Sequence, residues 1–123
     1  MQIVRVVVAW WALVAMDALS LFGFRPLYDV LRRMPVGQAP PSNSVAALAS
    51  AVDEASIWYF KRVLCLQRSA ALMALLRLRG IPARLVIGFR PVPLDSHAWV
   101  EVEGRIVNDR PQYKRFYTVL DTI

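Results

Sequence analysis

The chain is 123 residues long, 57% hydrophobic, with a formal net charge of +6 and a single cysteine and a single histidine. One cysteine excludes an internal disulfide framework, and one cysteine with one histidine excludes the usual zinc site, so no metal and no cofactor is expected. Thirteen arginines and two lysines are scattered without the basic, aromatic-interleaved stripe of a nucleic-acid binder; such a charge favours an acidic peptide instead.

Residues 3–24 are nearly all apolar, broken by Arg5, Asp17 and Ser20. The length suits a membrane span, but Asp17 would be costly there, and Gly23-Phe24-Arg25 supplies no signal-peptide cleavage site. A helix buried in the core or packed in an interface is expected, with no membrane contact and a cytoplasmic location. Pro26–Arg33 reads as a second, short helix with proline in its tolerated first turn. Met34–Ser44, with three prolines, Gly37 and Asn43, reads as a loop. Ser44 then suits the N-cap of a helix running to about Phe60, with Val45, Leu48, Ala49 and Val52 on one face.

Cys65–Arg79 is apolar on nearly every side, which places it at the centre of a fold. Arg77 and Arg79 complement the helix dipole at its C-terminus, Gly80 suits a left-handed cap, and Pro82 bars continuation. Three strand-like runs follow: Ala83–Phe89, His97–Val102 and Arg105–Asn108. The whole reads as one α+β domain over 1–123, a helical part over 1–60 and a Cys-bearing helix with an antiparallel sheet over 61–123. The apolar residues after Asp109, Tyr113 to Leu120, are expected to wrap back onto the helical half.

Cys65, His97 and Asp109 carry the candidate chemistry. A thiol at a helix start meets unsatisfied N–H groups that favour thiolate. A histidine can take and return its proton, and a carboxylate can orient that histidine. Helix-start Cys, strand-start His and an Asp on the next strand follow the order of a papain-like or transglutaminase-like core. Trp58, Tyr59 and Trp99 can line a cleft, although aromatics at such positions are more often core; Ser69, one turn after Cys65, packs near it without a catalytic role.

The hairpin register bears on this trio. A two-residue turn at Glu103-Gly104 pairs Val102 with Arg105 and sets His97 and Asp109 on opposite faces. A three-residue loop, Val102-Glu103-Gly104, pairs Glu101 with Arg105, Val100 with Ile106 and His97 with Asp109. The second register matches charge with charge and apolar with apolar, and is the one expected.

Cys65-Leu66-Gln67-Arg68-Ser69-Ala70-Ala71-Leu72, then Arg79-Gly80-Ile81-Pro82-Ala83-Arg84-Leu85-Val86-Ile87-Gly88, then His97-Ala98-Trp99-Val100-Glu101-Val102-Glu103-Gly104-Arg105-Ile106-Val107-Asn108-Asp109 together resemble the lasso-peptide leader peptidases. These are small transglutaminase-like cysteine proteases of bacterial lasso-peptide biosynthesis. The match is dense from about residue 58 to 109, whereas the N-terminal half matches only in character. The resemblance implies that Cys65, His97 and Asp109 form a catalytic triad that cleaves the leader from a ribosomally made precursor. It implies a stand-alone protease working with a small leader-recognition protein and an ATP-dependent lasso cyclase. A transglutaminase-like amide transferase uses the same triad, and a non-catalytic scaffold that presents a precursor to partner enzymes is a third reading.

Overall fold

The computed structural model describes residues 2–37, 43–59, 65–91, 95–108 and 117–123. Four helices, α1 (Gln2–Ser20), α2 (Phe24–Arg33), α3 (Asn43–Ile57) and α4 (Cys65–Leu78), precede strands β1 (Ala83–Arg90), β2 (Asp95–Val102) and β3 (Arg105–Ile106); β4 (Thr118–Thr122) follows. The fold is α+β, with the helices packed on an antiparallel sheet of order β3-β2-β1-β4.

The apolar N-terminal stretch forms α1, but only one of its faces is buried. Ala9, Leu13 and Met16 enter the core, while Ile3, Val4, Val7, Val8 and Trp11 are exposed. By length and composition alone the helix could cross a membrane. Here it packs on α3 and α4. Its one carboxylate, Asp17, faces inward and accepts hydrogen bonds from Tyr59 Oη at 3.3 Å and Gln67 Nε2 at 3.4 Å. Partners of this kind make a half-buried carboxylate tolerable in an otherwise greasy helix.

Helix α2 begins two residues earlier than expected, with Pro26 still inside its first turn, where its missing N–H costs little. Ser44 falls inside α3 instead of capping it. That helix stops at Ile57, before Phe60, because Trp58 and Tyr59 tighten into i→i−3 bonds to Ala55 and Ser56.

Helix α4 is the centre of the fold, with Gln67, Ser69 and every residue from Ala70 to Arg77 buried. It ends in a Schellman motif: Ile81 N–H reaches Leu76 O at 3.0 Å, Gly80 N–H reaches Arg77 O at 3.0 Å, and Gly80 takes φ 78°. Arg77 lies in the last turn, where its charge complements the dipole as expected, and it also does more. It is buried and donates to the carbonyls of Leu31, Met34, Ala83 and Ile123, so it joins the end of α2, the start of β1 and the C-terminal residue.

The sheet has a fourth strand that the sequence pattern did not announce. β4 pairs with β1 with a register shift between Ile87 and Gly88, and the Ile123 and Leu85 backbones exchange bonds of 2.8 and 3.2 Å. The segment touches the helical half through an Arg32–Asp121 ion pair at 2.8 Å, but not through the apolar residues expected. Val119 and Leu120 are exposed, Tyr117 packs with Val86 and Trp99, and Tyr113 and Phe116 lie outside the described residues.

The β2–β3 hairpin corrects the expected register. Val102 pairs with Arg105 and Glu101 with Ile106, so the turn has two residues. Glu103 at φ 52° and Gly104 at φ 79° are both left-handed, as a type I′ turn requires. Gly104 thus takes its positive φ in a two-residue turn and not in the three-residue loop expected. This geometry matches the right-handed twist of the strands, and that gain outweighs the strain of a left-handed glutamate.

Candidate active site

Helix α4 and strand β2 run in the same direction. Ser69, near the start of α4, donates to Ala98 O at 3.1 Å. Arg77, near its end, donates to Ala83 O at 2.9 Å, and Ala83 pairs with Val102 at the end of β2. The starts of helix and strand therefore meet at one end of the molecule, and that juxtaposition brings Cys65 to the level of His97.

Cys65 is the first residue of α4, half-buried, and free of any disulfide. The N–H groups of a helix's first turn have no acceptor inside the helix, so this end carries partial positive charge. Cys65 and His97 border the same cavity, about 310 Å³, with Tyr28, Leu66, Ile87, Ser96 and Ala98 completing its wall. The lining is largely apolar, with Tyr28 and Ser96 adding hydroxyls.

Strand alternation decides where the imidazole sits. Ala98, Val100 and Val102 belong to the core cluster beneath the helices, whereas Trp99 clusters with Val86 and Tyr117 on the other side of the sheet. His97 shares the parity of Trp99. Its ring lies 6.2 Å from the Trp99 ring and 5.9 Å from the Tyr117 ring, centroid to centroid. Gly88, opposite His97, leaves room for this stack, since a Cβ there would lie 2.6 Å from Trp99 Cη2 and 2.8 Å from Tyr117 Cβ. Tyr117 also donates to Asp95 Oδ2 at 2.7 Å. That bond holds the Asp95 carboxyl below its ordinary value of 3.8, aided by the Ser96 backbone and the Arg90 and His97 charges and opposed by desolvation.

The structure thus sets Cys65 and His97 on one cavity wall, with the His97 ring leaning toward Trp99 and Tyr117. Asp109, the third expected site residue, lies outside the described residues, and the expected pairing of His97 with Asp109 is not the register of the hairpin. The ladder does not run on unbroken to that position. Val107 N–H still reaches Val100 O at 3.0 Å, but Val100 N–H goes to Asn108 Oδ1 at 2.9 Å. Among the described residues no cluster of three His, Cys, Asp or Glu side chains forms a metal site.

Trp58, Tyr59 and Trp99 do not line this cavity, and two of them are buried, the commoner outcome for aromatics at such positions. Trp58 is exposed, with its carbonyl accepting from Trp10; Tyr59 is turned to Asp17; Trp99 is fully buried. Tyr28 takes their place, and the amphipathic pattern of Leu27, Tyr28 and Leu31 on α2 was the available signal. Burial, and then the Asp121 charge, raises the Tyr28 pKa, so its hydroxyl stays protonated and able to donate. Ser69 is fully buried and bonded to Ala98, consistent with a structural role.

Over 59 residues, 48% of this chain, the sequence is 46% identical to the microcin J25-processing protein McjB of Escherichia coli. The match spans 28% of that relative's length. No solved structure matches the chain. The sequence pattern of the transglutaminase-like superfamily matches residues 9–122, and the chain belongs to that superfamily.

Proposed function

We propose that this protein is a cysteine peptidase that removes the leader from a ribosomally made lasso-peptide precursor. The observation that carries the reading is the cavity shared by Cys65, at the start of α4, and His97, near the start of β2. Membership of the transglutaminase-like superfamily and similarity to a protein named for processing microcin J25 support it.

In the proposed cycle the His97 ring leaves its stack with Trp99 and Tyr117, through a shift of the backbone at the start of β2, and takes the Cys65 proton. The thiolate attacks the carbonyl carbon at the leader–core junction, forming a C–S bond. The resulting oxyanion lies against the N–H groups at the start of α4, with the Tyr28 hydroxyl as a further donor. Collapse breaks the C–N bond, and His97 returns its proton to the departing amine of the core peptide. Water then attacks the thioester with His97 as base, releasing the leader carboxylate and restoring the thiol. Asp109 is proposed as the carboxylate that orients His97. A leader-recognition protein and an ATP-dependent cyclase are the proposed partners.

Incubating the chain with a candidate precursor, with and without a candidate leader-recognition protein, and weighing the products by mass spectrometry tests this. Hydrolysis adds one water across a single peptide bond. Loss of ammonia with formation of a new amide would instead indicate an amide transferase. An intact precursor under all conditions would contradict both.

A further inference from the structure

Asn108 ends the β2–β3 ladder by substituting its side chain for a backbone carbonyl. In regular pairing Val100 and Val107 would exchange two bonds. Only Val107 N–H to Val100 O is of that kind, at 3.0 Å; Val100 N–H donates to Asn108 Oδ1 at 2.9 Å. The other end of the same amide, Nδ2, donates to Ser69 Oγ at 3.0 Å, and Ser69 Oγ donates to Ala98 O at 3.1 Å. Unbroken alternation would set Asn108 opposite Trp99, on the sheet face away from α4. Instead its amide is turned toward α4.

The heights matter. Ser69 is one helical turn after Cys65 on the same helix face, and Ala98 is the neighbour of His97. We infer that Asn108 is a positioning residue, which fixes how far along β2 the α4 helix sits and thereby sets Cys65 against His97. The inference rests on the reading of Cys65 and His97 as a reacting pair. Asparagine suits the task because it offers an acceptor to Val100 and a donor to Ser69 at once. An ionised aspartate accepts only, and would compete with Ala98 for the single Ser69 proton.

Cys65 is the sole cysteine, so alkylation by iodoacetamide followed by intact mass reports on its thiol alone. The rate is measured across pH for the native chain and for His97→Ala, Asn108→Ala, Asn108→Asp and Ser69→Ala, with melting curves for each. His97→Ala should alter the pH profile. Folded Asn108→Ala and Ser69→Ala should give profiles like that of His97→Ala, and Asn108→Asp should fall between. In precursor cleavage, Asn108→Ala should lower kcat about tenfold to a hundredfold with KM changed much less. Where Asn108→Ala does not fold, Ser69→Ala and Asn108→Asp carry the same comparison. Native-like profiles in folded Asn108 and Ser69 variants, alongside an altered profile in His97→Ala, would overturn the positioning role and leave the catalytic reading standing. A native-like profile in His97→Ala would overturn the Cys65–His97 pair itself.

Discussion

Arg77 of α4 donates through Nη1 to the carbonyl of Leu31, in the last turn of α2, at 2.8 Å. Leu31 lies one turn after Tyr28, so this bond helps hold the helix that carries Tyr28 to the cavity wall. The same guanidinium reaches Met34 O at 3.2 Å, Ala83 O at 2.9 Å and Ile123 O at 2.9 Å. Burial, and then the Arg84 charge, lowers its pKa, yet a guanidinium stays charged in proteins.

Arg77→Lys should therefore be far from conservative. An ammonium cannot span four carbonyls in a planar fork, and the acceptors left without donors are desolvated. A loss of about 2–4 kcal/mol is expected in denaturant unfolding. An unchanged midpoint would show that the four bonds contribute little net stability.

The central helix was readable because its signals agree. The stretch from Leu66 to Leu78 has no polar face, and Gly80 and Pro82 stop it in a way only a helix end needs. Cys65 at its start and His97 near the start of β2 were readable for the same reason. Other features lacked such a signal. β4 is five exposed residues without alternation, stabilised by pairing with β1 that no local pattern reveals. Tyr28 reaches the cavity through the packing of α2, whereas Trp58 and Tyr59, closer to Cys65 in sequence, do not. The hairpin register is hidden because Glu-Gly is not the usual dipeptide of a type I′ turn, and matching cross-strand charges favour the longer loop on paper. Asn108 gives no sign in sequence that its side chain will replace a carbonyl.

Glu103→Asn should stabilise the hairpin. Glu103 sits at φ 52°, a region in which asparagine is far more at ease. The gain should be on the order of 0.5–1 kcal/mol in unfolding free energy, with cleavage unchanged. Destabilisation would contradict the two-residue turn. Gly104→Val, at φ 79°, should act in the opposite direction.

The Tyr117–Asp95 bond links stability to acid pH. Asp95 has a lowered pKa in the fold, so its contribution is fully present above the ordinary value of 3.8 and fades as pH falls through the lower folded value. Tyr117→Phe removes the hydroxyl that is the main cause of the shift. The melting-temperature gap between native chain and variant should be constant above about pH 5 and should narrow below 3.8. A gap that widens in acid would mean the bond favours the protonated carboxyl.

Cleavage of the precursor by the Cys65→Ala variant, followed by mass spectrometry, tests the proposed chemistry most directly. The substitution removes one sulfur from the first residue of α4, and no other thiol exists in the chain. A variant with a native circular dichroism spectrum and melting curve should leave the precursor intact while the native chain cuts it at a single bond. Cleavage at that same bond by the folded Cys65→Ala protein, at a rate near the native one, would place the nucleophile elsewhere.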